Sequence, residues 1–319
     1  MDAPSSIGSA LHPLRDAMRE RAEVVEPGDS YWFHRPQRRF PPPSVRDPDA
    51  YDGGDRLSLT VTQTDLPAAR QRDLVRRWCH LLPTLTGVRT LWFHTKVTQE
   101  LFEAACGMPG LAGLYIKWSS ITSLAPVAGL QALSHFHLGG APSARDITAL
   151  ASLPRLVDLE LRKVAAAADL DFVQGLPGLR ALQLAGDTHG GKALKLASLA
   201  PLAALVNLEK LQLFALQVED GSLDALAMLP ALRYLDLSNQ FPMEAVARLA
   251  GQRPDLACTS FAPVTGPHTA FACKTCGQRH ILQLTGKGKP WLCSDCDAAR
   301  VAEHIARFEA IVRAQRALP

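Results

Sequence analysis

The sequence has no run of about eighteen apolar residues, which is the length that a membrane-spanning helix requires. Residues 1–25 also have no apolar segment of the kind found in a secretory signal, because Arg15, Asp16 and Arg19 interrupt them. The net charge is only +3, from 34 basic and 31 acidic residues, so there is no general excess of positive charge for binding nucleic acid. These absences predict that the protein has no membrane partner and is cytoplasmic.

Cysteine is infrequent, yet four of the seven cysteines form two Cys-x-x-Cys pairs near the C-terminus. The pairs are Cys273/Cys276 and Cys293/Cys296, and residues 277–292 separate them. Thiolates are soft ligands that suit zinc, and a two-residue gap lets one tight turn direct both sulfurs at one ion. Because four protein ligands leave no coordination position for a substrate, the pattern predicts a structural zinc site.

The remaining three cysteines are Cys79, Cys106 and Cys258. They are far apart in the sequence and odd in number. This distribution indicates free thiols in a reducing compartment instead of a disulfide framework.

A repeated apolar pattern occupies residues 85–250. Each of seven copies reads L-x-x-L-x-x-L-x-L, and the copies follow one another at nearly regular spacing. The L-x-L part alternates as a strand does, and one copy cannot bury its own apolar face, so neighbouring copies must stack. The pattern predicts an α/β solenoid, a curved leucine-rich-repeat coil with a parallel sheet on its concave side and a small zinc-ribbon and helix module after it. The seven strand pairs are Leu91/Phe93, Leu114/Ile116, Phe136/Leu138, Leu159/Leu161, Leu182/Leu184, Leu211/Leu213 and Leu235/Leu237.

The short repeats resemble those of internalin-like bacterial leucine-rich-repeat proteins over about half of the chain. Proline in the returning segments, as at Pro126 and Pro201, favours turns and 3₁₀ helices there. The resemblance implies a protein-binding surface, as in an adaptor or an immunity-type inhibitor, and the 25 arginines against nine lysines also indicate a bacterial source. That class usually has asparagine three residues after the last strand leucine. Here other residues hold those positions, from Lys96 to Gln240, so the backbone must find other partners.

The pattern divides the chain into four segments. They are a loosely ordered Pro/Arg-rich arm (1–55), an N-terminal cap of one strand and one helix (56–84), the coil (85–250) and a C-terminal cap (251–319) that contains a zinc ribbon (273–296) and a helix (297–317). Extra residues within 187–196 precede the sixth repeat and predict a protruding loop.

The repeat register also predicts which side chains project from the open concave face, because alternate residues of a strand point to opposite sides. Aromatic and charged side chains on one rigid surface are typical of protein-binding hot spots. We therefore predict that this face binds another protein. The predicted partner-binding residues are Trp92, His94, Tyr115, Lys117, His135, His137, Asp158, Glu160 and Arg162.

Three alternatives remain open. The face could be a solvated surface without a partner. The pairs His135/Asp158 and His137/Glu160 could orient a general base, but no nucleophile accompanies them and an open sheet admits water, so the sequence favours a protein that is not an enzyme. The cysteine module could belong to a nucleic-acid-associated regulator, with four cations and one stacking ring. These five residues are Lys274, Arg279, Lys287, Lys289 and Trp291.

Overall fold

A nine-stranded parallel sheet runs through the molecule in a computed structural model that describes residues 41–188 and 191–318. Most of the predicted N-terminal arm lies outside the described residues. The strands pair in the order β1-β2-β3-β4-β5-β6-β8-β10-β11. They are β1 (Arg56–Leu59), β2 (Thr90–Phe93), β3 (Gly113–Ile116), β4 (His135–Gly139), β5 (Asp158–Arg162), β6 (Ala181–Ala185), β8 (Lys210–Phe214), β10 (Tyr234–Leu237) and β11 (Ala257–Cys258).

Seven of these strands, from β2 to β10, are the strands of the seven sequence repeats. Their paired apolar residues are all buried and belong to one continuous core. The stacked leucines therefore supply one another with the apolar cover that no single repeat has. The predicted α/β leucine-rich-repeat solenoid is confirmed.

The returning segments of the coil are mainly short 3₁₀ helices, and the two that contain Pro126 and Pro201 are 3₁₀ helices as predicted. They occur at Ala125–Gly129, Ile147–Ser152, Ala165–Ala168, Asp171–Gly175 and Ala200–Ala204. Two repeats return through α-helices instead, α2 (Gln99–Cys106) and the single turn α3 (Asp224–Ala227). Thr98 immediately precedes helix α2, and its hydroxyl accepts a hydrogen bond from Leu101 N at 3.3 Å and so caps the helix.

Before the first repeat, strand β1 pairs in parallel with β2 and thus extends the concave sheet by one strand. Helix α1 (Ala68–Leu81) follows it and buries Leu74, Val75 and Trp78 in the core. Short 3₁₀ helices at Pro48–Ala50 and Leu82–Thr84 flank this unit. Upstream of β1, Val45 N donates to Ser58 O at 2.7 Å, so the described chain begins along the outer edge of β1.

At the turns that lack asparagine, main-chain hydrogen bonds between consecutive repeats satisfy the backbone N–H and C=O groups. Ser119 N donates to Gly140 O at 3.0 Å, Gly140 N to Arg162 O at 2.9 Å, and Lys163 N to Ala185 O at 2.7 Å. Side chains take the same role elsewhere: Gln63 Oε1 accepts from Lys96 N at 3.2 Å, and Gln240 Oε1 accepts from Leu216 N at 2.8 Å. The sequence prediction that the backbone finds other partners at these turns is thus confirmed.

The extra segment before the sixth repeat does not form only a loop. Strand β7 (Leu194–Leu196) pairs in parallel with β9 (Leu216–Val218) and buries Leu194 and Leu196. The prediction of a simple protruding loop was wrong here, because a short L-K-L alternation supplies an apolar edge that the next repeat covers.

The C-terminal segment forms a small antiparallel sheet and two helices. Strands β12 (Val264–Thr265), β13 (Ile281–Leu284) and β14 (Trp291–Cys293) pair in sequence order, and a 3₁₀ helix at Thr259–Phe261 precedes them. Helix α4 (Met243–Gln252) closes the coil and packs against α5 (Ala298–Arg316).

Helix α5 joins two separate cores. Its Val301 packs with Leu284 and Leu292 of the small sheet, whereas Phe308 belongs to the core of the coil. A second link is Asn239, whose side chain donates to Leu284 O at 2.8 Å and accepts from Gly286 N at 2.6 Å. These contacts fix the small sheet onto the end of the coil.

Gly251→Ala is expected to destabilise the contact between α4 and α5. A Cβ atom at Gly251 would lie 2.5 Å from Gln315 Cβ and 2.8 Å from Val312 O. Alanine favours the helix by about 1 kcal/mol, but such overpacking costs about 1–3 kcal/mol, so we expect a net loss. Hydrogen exchange should show faster exchange in α5. Gly87→Ala is the matched control, since nothing lies within 4 Å of that Cβ position, and equal protection of α5 in both variants would contradict the prediction.

Among the described residues, no helix combines the length and the apolar character that crossing a membrane demands.

Candidate partner-binding face and metal centre

A row of side chains crosses the concave face at the middle position of each strand. Parallel pairing sets Trp92 beside Tyr115, Tyr115 beside His137, and His137 beside Glu160. The rings of Trp92 and Tyr115 stack with centroids 3.5 Å apart, and those of Tyr115 and His137 with centroids 4.2 Å apart. The first half of the row is therefore a continuous aromatic stack on three adjacent strands.

The second half of the row consists of carboxylates and amides. His137 Nδ1 lies 2.9 Å from Glu160 Oε2, and the other oxygen of Glu160 accepts a hydrogen bond from Gln183 Nε2. Pairing continues the row through Gln212 to Asp236, whose carboxylate accepts from Gln212 Nε2 at 3.5 Å. We call the full set Trp92, Tyr115, His137, Glu160, Gln183, Gln212 and Asp236 the central row.

Burial and charge both affect the tyrosine of this row. Burial, followed by the negative charge of Glu160, raises the pKa of Tyr115 to about 12. The phenol is therefore neutral at physiological pH and remains a hydrogen-bond donor.

The other predicted binding residues lie on either side of the central row. Pairing places His135 beside Asp158 on one flank. On the other flank Lys117 is exposed, and His94 and Arg162 are half-buried. The strands thus bring all nine predicted residues onto one face of the sheet.

The sequence predicted an open face, and here the structure differs. Trp92, His135, His137 and Glu160 are only 3% to 6% exposed. The alternation of a strand fixes the side to which a residue points, but not what lies above it. The expectation that these four side chains face bulk solvent was therefore wrong.

Sequence reasoning left out a shallow pocket at β5, β6 and β8. Asp158, Glu160, Gln183, Lys210 and Gln212 line it. The same two-residue alternation that selected Glu160 also places Gln183 and Gln212 in its row, since the three are direct neighbours across the sheet, but the predicted partner-binding residues did not include them.

The four C-terminal cysteines come together at one end of the small sheet. Their sulfurs all lie within 4.8 Å of one another, with Cys273 to Cys296 at 3.8 Å and Cys276 to Cys293 at 3.7 Å. A tetrahedral site with zinc–sulfur bonds of about 2.3 Å has sulfur–sulfur edges of roughly 3.8 Å. The donor set and its spacing therefore fit a metal ion held by four thiolates.

The local backbone geometry favours the thiolate form of Cys273, the first of these ligands. The chain turns through Gly277, at a φ of 72°, immediately after Cys276. Hydrogen bonds from the backbone N–H of Cys276, and then of Thr275, lower the pKa of the Cys273 thiol to about 6. Thiolates are the form that binds metal, so the turn favours coordination.

All seven cysteines are among the described residues, and none forms a disulfide. Burial raises the pKa of Cys79 to about 11 and that of Cys258 to about 12. Thiols that are held protonated in this way are poor nucleophiles.

An aromatic cluster is exposed on the same module. Trp291 and Phe271 are 46% and 45% exposed, and their ring centroids are 5.5 Å apart. The ring of His268 lies 4.6 Å from that of Trp291. This cluster contains the stacking ring that the sequence indicated, together with two further rings.

No protein-family model matches the sequence, and no curated protein matches it. Several solved protein structures are similar to this chain. Internalin C2 of Listeria monocytogenes is 27% identical, over 54% of this chain and 70% of that one, with a TM-score of 0.41. Internalin F of the same organism is 20% identical, over 62% of this chain and 59% of that one, with a TM-score of 0.40.

A plant peptide hormone receptor, RGFR1 in complex with RGF2, is 15% identical, over 65% of this chain and 32% of the receptor, with a TM-score of 0.41. Each likeness covers only part of the two chains compared. The leucine-rich-repeat coil is shown by the order of the parallel sheet and by its buried strand leucines.

Proposed function

We propose that this protein binds another protein through the concave face and is not an enzyme. The observation that carries the proposal is the stack of Trp92, Tyr115 and His137 on three adjacent strands. Tryptophan and tyrosine are enriched in the residues that dominate binding energies. In keeping with the internalin-like resemblance, the role would be that of an adaptor or an immunity-type inhibitor.

The rigidity of the side chains in the central row supports this proposal. Stacking holds the rings in place, and the contacts of Glu160 with His137 and Gln183 hold the carboxylate in place. Side chains that are already ordered lose little conformational entropy when a partner binds. A fixed aromatic surface next to fixed hydrogen-bonding groups thus favours both affinity and selectivity.

The hydrogen bonds around His135 favour binding over catalysis. Ser134 Oγ lies 2.8 Å from His135 Nδ1, which is the distance expected for an activated serine. However, the same hydroxyl donates to Ala112 O at 3.0 Å, so its only proton is already used. His135 Nδ1 must then act as the donor towards Ser134, and it cannot act as a base there.

For the cysteine module we propose a structural zinc ion in a zinc ribbon, with all four coordination positions filled by Cys273, Cys276, Cys293 and Cys296. Such an ion would stabilise the small sheet and would offer no open position for chemistry. Thiolate ligands and free thiols together support a reducing, cytoplasmic environment.

Affinity capture from the native cell, quantified by mass spectrometry, tests the binding proposal. Wild-type protein should enrich one or a few proteins that the Trp92→Ala, Tyr115→Ala double variant does not enrich. Met228→Ala is the control, since Met228 is 75% exposed and lies outside the sheet. Equal enrichment by the double variant and the control would argue against the concave face.

The exposed cluster of Trp291, Phe271 and His268 supports a second candidate, which is single-stranded nucleic-acid binding by the module. Bases stack on such rings, and Lys287 and Lys289 would meet phosphates. Lys287→Glu with Lys289→Glu should weaken binding to an oligonucleotide and reduce the salt slope by about 0.7 for each lost contact. Fluorescence anisotropy over a salt series measures both quantities. Absence of salt-dependent binding by the wild-type protein would eliminate this candidate.

A further inference from the structure

A basic surface with one exposed tryptophan lies where strands β2 to β5 end. We call it the basic rim, and its members are Lys96, Lys117, Trp118, Arg162 and Lys163. Trp118 is 46% exposed, the three lysines are exposed, and Arg162 is half-buried. Lys117 and Arg162 are among the nine predicted binding residues, whereas the other three are not. The basic rim therefore extends the candidate surface beyond the central row.

Hydrogen bonds between consecutive turns hold the basic rim together beyond the ends of the strands. Val97 forms a parallel bridge with Ser119. Ser119 N donates to Gly140 O at 3.0 Å, and Gly140 N donates to Arg162 O at 2.9 Å. Because neighbouring turns are about one strand spacing of 4.8 Å apart, the four turns span roughly 14 Å. A segment of about five extended residues crosses that distance.

The turn between Trp118 and Lys163 presents bare main chain. It holds Gly140, which has a φ of 55° and is half-buried. A Cβ atom there would lie 2.9 Å from Trp118 Cβ, so this position requires glycine. Because no side chain stands between the indole and the lysine, the main chain of a bound segment can approach the basic rim closely.

The basic rim carries more positive charge than the carboxylates around it neutralise. Lys163 Nζ lies 2.8 Å from Asp187 Oδ2. The other two lysines form no ion pair within residues 41–188 and 191–318. Glu160 lies two residues before Arg162 on the same strand, but its carboxylate is buried within the central row. This surplus of cations favours an acidic ligand.

We propose that the basic rim binds an extended acidic segment of the partner protein, with an apolar side chain of that segment packed on Trp118. Carboxylates of the segment pair with the lysines and select the ligand by charge, while the indole contributes most of the affinity. This names the chemistry of one part of the partner, and it rests on the proposed function for the existence of that partner.

The single ring of the basic rim favours a peptide over a nucleic acid. Proteins that bind single strands stack successive bases on successive aromatic side chains. Trp118 is the one aromatic residue of the rim, and the turns on either side of it hold Lys96 and Gly140. One anchoring ring flanked by charges is instead the arrangement of a protein hot spot.

Fluorescence anisotropy of the full-length protein with a labelled acidic peptide tests the proposal. The probe is a decapeptide of alternating aspartate and glutamate with one central phenylalanine. Wild-type protein should bind it with an affinity that falls as the salt concentration rises. Lys96→Glu with Lys117→Glu should weaken binding by about tenfold or more, since attraction becomes repulsion at two positions. Trp118→Ala should weaken it about tenfold, and its exposed position keeps the variant folded.

Arg72→Glu with Arg76→Glu is the matched control, because it changes the net charge equally at two exposed residues of helix α1, outside the basic rim. An equal loss in this control would show that net charge alone attracts the peptide and would overturn the proposal, as would absence of binding by the wild type. An oligonucleotide that binds more tightly than the peptide, and is released by the two lysine changes, would assign the rim to phosphates and contradict it too. Failure of the proposed function is distinguishable, since affinity capture would then find no partner although the wild-type protein still binds the decapeptide.

Discussion

Cys276→Ser, or removal of metal with a chelator, is expected to unfold the small C-terminal sheet and leave the coil folded. The separate hydrophobic cluster of that sheet joins only three buried side chains, Leu284, Leu292 and Val301. Burying one such side chain contributes about 1.5–3 kcal/mol, whereas ordering each residue of the chain costs about 1–2 kcal/mol. The module therefore depends on the metal, which can contribute on the order of 10 kcal/mol.

Hydrogen exchange and metal analysis together measure this effect. Wild-type protein should contain one zinc ion per chain, and the variant should lose it. Exchange in β12, β13 and β14 should become fast, while β2–β8 remain protected. The second half of α5 should keep part of its protection, because Phe308 packs in the core of the coil.

Cys79→Ser is the matched control for this experiment. It makes the same chemical change at a half-buried free thiol outside the cluster. It should leave both zinc content and exchange in β12–β14 unchanged. A Cys276→Ser protein with full zinc content and a protected small sheet would contradict the structural role of the metal.

Trp92→Ala with Tyr115→Ala is expected to weaken binding of a purified partner by about a hundredfold or more, since single hot-spot residues contribute about 2 kcal/mol or more and 1.4 kcal/mol is tenfold. The two rings form the aromatic end of the central row, and their removal also leaves His137 without its stacking neighbour. Calorimetric titration gives the dissociation constant of each protein.

Stability must be separated from binding in this variant. Trp92 is buried, and large-to-small changes at such sites cost about 3–5 kcal/mol, so thermal unfolding of the variant has to be measured beside the titration. Glu160→Gln provides a milder probe of the same row, because it keeps the shape of the side chain and removes only its charge. Unchanged affinity in both folded variants would exclude the central row as the binding surface.

The repeat pattern was sufficient to predict the coil and the row of side chains on it. Two-residue alternation and a nearly constant repeat length determine that Trp92, Tyr115, His137 and Glu160 become neighbours on adjacent strands. Strand alternation and repeat length are both set within a single repeat, and stacking of the repeats aligns the same positions of successive strands. The closeness of the four cysteines followed equally well from their spacing.

Other features depend on contacts between distant residues, so no local pattern predicts them. The two hydrogen bonds of Asn239 to the small sheet join residues that are far apart in the sequence. The division of α5 between two cores depends on where α4 ends, and the close approach at Gly251 arises only when the helices are packed. The burial of Trp92 and Glu160 is likewise not specified by strand alternation.

Side-chain footprinting of the protein with its captured partner shows whether the partner binds the concave face. Hydroxyl radicals oxidise aromatic side chains at rates that follow their accessibility. We expect the partner to protect the strands β2–β6 further, above all Tyr115, while Trp291 and Phe271 of the cysteine module react as before. Protection confined to the cysteine module or to the return segments, with an unchanged rate at Tyr115, would contradict this expectation.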